Sequence, residues 1–133
     1  MTARIAPALL AASLSLAVPA LASDQPVDPV GFGAGQAIPA TLTLNYSEDG
    51  RDARMTGVRN NYRPKVVFGG REVICMMRME RGTVIEPGES GDVRMECKNP
   101  VAVARASTRQ IVREGGKDVG FVDVHLPPVP DPR

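Results

Sequence analysis

Arg113-Glu114-Gly115-Gly116-Lys117-Asp118-Val119-Gly120 is the stretch on which the fold turns. It joins two strand-like runs, Gln110 to Arg113 and Val119 to His125. A Gly-Gly pair tolerates the positive φ angles of a tight hairpin, so the reading predicts a terminal β-hairpin turning on Glu114-Gly115-Gly116-Lys117. Toward the N-terminus the same period-two alternation recurs. Val93, Met95 and Cys97 alternate with Asp92, Arg94, Glu96 and Lys98. Val73, Cys75, Met77 and Met79 share one face, with Glu72, Ile74, Met76 and Arg78 on the other. Lys65 to Phe68 is a short β-branched and aromatic run, entered through Pro64 at a position where no ladder donor is missed. Leu42, Leu44 and Tyr46 point one way and Thr41, Thr43 and Asn45 the other, until Ser47-Glu48-Asp49-Gly50 supplies a turn. Short strands separated by turn signals predict an all-β fold, a small barrel or sandwich.

The flanks have a different character. Residues 1–22 read as a cleavable signal peptide: Arg4 is a short positive region, Ala8 to Ala17 an apolar run, and Ala20-Leu21-Ala22 a small-x-small cleavage site. The apolar run is too short to span a bilayer, and no later segment is apolar enough. Residues 23–37 are rich in Gly and Pro and read as a flexible lead-in, residues 38–126 as the barrel, and residues 127–133, Pro-Pro-Val-Pro-Asp-Pro-Arg, as a disordered tail. The chain has 16 basic and 15 acidic residues. Loss of the leader removes Arg4 and no acid, so the remaining counts are equal. That balance lacks the basic excess on which nucleic-acid binding usually rests.

Cys75 and Cys97 are the two cysteines, and the midpoint between them falls at residue 86, inside the turn-rich segment Arg81 to Gly91. A hairpin pivoting there sets the cysteines opposite each other, both on the apolar faces of their strands. In an exported chain that geometry favours a cross-strand disulfide, the alternative being two buried free thiols. No Cys-x-x-Cys redox spacing is present.

No catalytic constellation is written in the residues. His125 is the one histidine, too few for a zinc site of about four ligands. Ser90, Ser107 and Thr108 lack a neighbouring His/Asp pattern. Gly31-Phe32-Gly33-Ala34-Gly35 lacks the Lys-Ser/Thr of a phosphate loop and reads as linker. Among the clustered methionines, Met77, Met79 and Met95 read as core and Met76 faces outward. The expectation is no metal and no cofactor.

Taken in order, several of these motifs resemble the C-terminal β-barrel domain of the elongation factor Tu family. They are the strand Ala40 to Tyr46, the turn Asp49-Gly50-Arg51, Tyr62-Arg63-Pro64, the strand Val73 to Met79, Pro87-Gly88, Val93-Arg94-Met95, Asn99-Pro100-Val101-Ala102, and the hairpin from Val112 to Gly120. The resemblance runs from about Ile38 to Val124 and implies a six-stranded antiparallel Greek-key β-barrel. In that family this domain touches the acceptor and T-stem side of aminoacyl-tRNA. The resemblance carries binding roles onto Arg51, Arg63, Lys65, Gly115, Gly116 and Lys117. The surface departs from the family, however: Asp52 stands in place of a His, Lys65 of a Gln, and Gly69-Gly70-Arg71 of Arg-Thr-Thr. Asp52 would repel phosphate.

The expected function is therefore an exported, periplasmic or secreted, non-enzymatic binding module. It would act through the barrel surface and the long loop 47–61 on a protein or peptide partner of the cell envelope. An RNA-binding remnant of the translation apparatus is the alternative, disfavoured by neutrality and Asp52. GTP has no site, because the phosphate-binding loops of the family belong to a domain that this sequence does not contain.

Overall fold

The computed structural model describes residues 28–129; the expected leader at 1–22 and the end of the tail, 130–133, lie outside the described residues. Eight strands follow one another: β1 Val30–Phe32, β2 Ala37–Leu44, β3 Lys65–Phe68, β4 Arg71–Arg78, β5 Ser90–Cys97, β6 Val101–Val103, β7 Arg109–Glu114 and β8 Lys117–Val124. Six of them close into an antiparallel barrel in the order β2-β5-β4-β3-β7-β8, with β8 returning to β2. β3, β4 and β5 form a meander, and the long connection from β2 to β3 leaves β2 lying beside β5.

Alternation fills the interior. Ile38, Ala40, Leu42 and Leu44 of β2 meet Val73, Cys75 and Met77 of β4 and Val93, Met95 and Cys97 of β5 in one apolar core. Val66, Val112, Val119, Val122 and Val124 complete it from the other side. The hairpin at 86 forms in the expected register, with Cys75 opposite Cys97 and Met77 opposite Met95. The two cysteines are disulfide-bonded, with 3.9 Å between their Cα atoms. Lys98 N donates to Ile74 O, which makes the adjacent cysteine pair a non-hydrogen-bonded one, where facing side chains stand closest.

Three expectations are corrected. The lead-in is not structureless throughout: Val30–Phe32 pairs with β6, and Phe32, Val101 and Val103 join the core. Three residues, the middle one a glycine, carry too little alternation to announce a strand. Tyr46 does not continue the inward face of β2; the strand stops at Leu44, Asn45 turns to bond Asp52 O and Asp118 O, and Tyr46 is 70% exposed. Part of the tail is held, since Pro127 O accepts from Arg105 Nη1 at 2.7 Å while Arg105 N donates to Asp28 Oδ1.

The last hairpin turns at Gly115 and Gly116, whose φ angles of 55° and 78° match the expected tight turn. A register shift beside Val112 puts Arg113 opposite Asp118, so Val119 is an extra residue on β8. Val119 and Gly120 are consequently both buried.

Candidate functional site

The loop end of the barrel is where β2 finishes and β3 begins. Its long loop is anchored from below rather than free. Ala53 and Val58 are buried, and Val58 exchanges backbone hydrogen bonds with Ile85 of the β4–β5 connection. Asn45 N donates to Val119 O, and Lys117 Nζ donates to Gly50 O at 3.0 Å. The loop is thereby pinned to the β7–β8 turn.

A three-residue cluster supplies the strongest tie. Both oxygens of Glu114 accept from Arg54 Nη1 at 2.6 Å, and the Tyr62 hydroxyl donates to the same carboxylate. The Arg54 guanidinium lies over the Tyr62 ring, 5.3 Å from its centroid. Charge-assisted bonds of this kind are roughly twice as strong as neutral ones. Burial, and next the Glu114 carboxylate, push the Tyr62 hydroxyl far above its ordinary value of 10.0. Tyr62 is thus a fixed donor and not an acid or base for chemistry near neutrality. Because its folded value is raised, its contribution to stability is complete below pH 10 and declines as the unfolded chain begins to ionise above it. In a Tyr46→Phe variant, where Tyr62 is the one remaining tyrosine, tyrosinate absorbance is expected to rise only as the protein unfolds. A reversible titration near pH 10 in the folded protein would contradict this contact.

The sequence-derived binding residues converge on this end, but they are not equally free. Gly115 and Gly116 form the turn, and Lys117 reaches across to Gly50. Lys65 stands 3.8 Å from Glu72, which also accepts from Arg113 at 3.1 Å. Arg113 is held in turn by Asp118 at 2.7 Å; Asp118 first and Glu72 second raise its guanidinium further above the usual range. Arg51, 87% exposed, pairs with Asp49 at 3.4 Å. The Ser47 hydroxyl and then the Arg51 amide hold the Asp49 carboxyl below its ordinary range. Arg63 is exposed and has no ion pair among the described residues.

Two apolar side chains stand out beside these cations. Tyr46 and Met55 are each 70% exposed, and both belong to the same loop region as Arg51. Met55 also lines a shallow depression of about 370 Å³ with Arg54, Glu114 and Lys117. Neither side chain was marked as surface by the sequence. Tyr46 was masked by alternation that outruns its strand, and Met55 sits in a loop without periodicity.

On the flank of the barrel, Thr41 Oγ1 lies 2.8 Å from His125 Nε2 and donates to Asp92 Oδ1 at 3.3 Å. This contact joins residues far apart in sequence, so no local spacing announces it. Its order differs from a catalytic triad, in which the imidazole stands between the hydroxyl and the carboxylate. Here the hydroxyl stands in the middle.

No protein-family model matches the chain.

Proposed function

We propose that the chain is an exported, non-catalytic binding module, built on a Greek-key barrel like the C-terminal domain of elongation factor Tu, that holds a protein or peptide partner at its loop end. The observation that carries the reading is the pair Tyr46 and Met55, each 70% exposed on a loop whose underside is locked by Glu114, Arg54 and Tyr62. Exposed aromatic and methionine side chains beside arginine are the usual anchors of protein interfaces. A loop already ordered loses little entropy when it binds. The Greek-key comparison is supported by a meander of β3, β4 and β5 with β2 returned beside β5. Export is supported by the Cys75–Cys97 bond, which suits an oxidising compartment.

The RNA alternative draws on the convergence of Arg51, Arg63, Lys65 and Lys117. It is weakened because Arg51 and Lys65 face acids and the Lys117 ammonium is already bonded. Affinity capture from envelope extract separates the readings. The wild-type protein is expected to retain a reproducible partner that a Tyr46→Ala/Met55→Ala variant of unchanged stability loses. Equal retention by both proteins, or none by either, contradicts the loop-end assignment. Salt-sensitive micromolar binding of tRNA would move the function to RNA.

A further inference from the structure

β5 is paired on both sides for only part of its length. β4 accompanies it from Cys75↔Cys97 to Arg78↔Arg94 and then departs, whereas β2 stays with it as far as Ser90. Antiparallel ladders alternate, so successive residues of β5 turn their backbone groups to opposite neighbours. Leu44 N donates to Glu89 O on the β2 side and Lys98 N to Ile74 O on the β4 side. Odd-numbered residues of β5 therefore serve β2, and even-numbered ones serve β4. Ser90 and Asp92 are even, and they face the side that β4 has left. Among the described residues, neither their N–H groups nor their carbonyls are taken up by a loop backbone.

The departure of β4 is fixed by other bonds. Met79 N donates to Asn60 Oδ1 at 2.9 Å, and Thr83 N closes a turn on Glu80 O. Beside the parted strands lies a groove of about 760 Å³, lined by Met79, Glu80 and Thr83 past the end of β4, by Asp92, Val93 and Arg94 of β5, and beyond β5 by Pro39 of β2 and His125. Its lining carries Arg78 and Arg94 against Glu80, Asp92 and Glu96, and of the two arginines one is left unmatched. Arg78 and Arg94 stand directly opposite each other, an arrangement that costs stability when both are cationic. Glu96 holds Arg78 at 2.9 Å, while Arg94 is exposed with no ion pair or side-chain hydrogen bond among the described residues.

We infer that the free backbone edge of β5 at Ser90 and Asp92, whose Asp92 end lines this groove, accepts an extended strand from a partner protein that sets an acidic side chain against Arg94. Strand addition draws affinity from main-chain bonds and specificity from alternate side chains. An open edge is otherwise an aggregation hazard that proteins cover or charge. The Arg94 guanidinium supplies the charge to be complemented. Glu80, Asp92 and His125 also border the groove, so the residues flanking the acid are uncharged. The site uses none of the residues of the loop-end surface, and its failure would leave the Tyr46 and Met55 assignment standing.

Amide-resolved hydrogen exchange and NMR titration with a capped Thr-Val-Glu-Val-Thr peptide test it. In the free protein, the Ser90 and Asp92 amides are expected to exchange at least about tenfold faster than those of Gly91 and Val93. The peptide is expected to shift groove resonances and slow the Asp92 amide. Arg94→Glu should weaken binding at least about tenfold, and a peptide with Lys in place of Glu should recover it. Asp92→Pro, which removes an outward N–H and no ladder bond, should abolish binding while leaving Val93 protected. An Asp92 amide already protected in the free monomer, no groove shifts at millimolar peptide, or equal binding by Arg94→Glu would each overturn the inference. Protection of Asp92 that grows with protein concentration alone would overturn the partner assignment in favour of a second copy.

Discussion

Gly120→Ala is expected to destabilise the barrel by about 3 kcal/mol or more, a large share of the roughly 5–15 kcal/mol available to a domain. Gly120 is the register partner of Leu44 on β2 and of Val112 on β7, at the point where the sheet closes. A Cβ there would lie 2.3 Å from Thr43 O and 3.2 Å from Leu44 Cα. Both are backbone atoms, so no side-chain rotation relieves the overlap. The β8–β2 seam must open or β8 must shift register. Urea denaturation followed by circular dichroism measures the loss, with Gly115→Ala as the comparison. Gly115 has open space around it and only a positive φ to accommodate, which costs about 1–2 kcal/mol. A Gly120→Ala protein within about 0.5 kcal/mol of the wild type would show that the β8–β2 seam has room for a methyl group.

Loss of the Cys75–Cys97 bond is the second large effect. The bond closes a loop of 22 residues, for which chain entropy gives roughly 3 kcal/mol. For a domain of this size that corresponds to a fall in Tm of roughly 12–24 °C. The sulfurs belong to residues with relative exposures of 0% and 2%, so reductant reaches them chiefly through opened molecules. Two results are expected: a Cys75→Ala/Cys97→Ala protein that melts far below the wild type, and a wild-type bond reduced slowly below its melting transition. Equal melting temperatures with and without the bond would show that it contributes nothing to folding. Rapid reduction in the cold would show that it lies exposed.

The parts of the fold that rest on local pattern were legible in the sequence. Val93, Met95 and Cys97 on one strand and Val73, Cys75 and Met77 on another alternate cleanly, and one pivot at residue 86 then fixes their register. The Gly115-Gly116 turn follows from the needs of a tight hairpin. What escaped was set by contacts between distant residues. Glu114 and Arg54 are 60 residues apart, and Thr41 and His125 are 84 apart, so neither pair leaves a spacing to find. The bulge at Val119 is invisible because one inserted residue reads as a lapse in alternation. The same applies to function. The sequence placed Arg51, Lys65 and Lys117 among binding residues by resemblance, whereas the packing gives each of them an internal partner and leaves Tyr46 and Met55 exposed.

The proposed export of a barrel whose neighbouring strands β4 and β5 are joined by one disulfide has a direct test. Intact mass of the protein isolated from its host, before and after reduction, tests it most directly. The predicted result is a chain beginning at Ser23 that becomes heavier by two hydrogens on reduction, as the Cys75–Cys97 bond opens. A chain beginning at Met1 with both thiols already free would contradict it and make RNA the first partner to test.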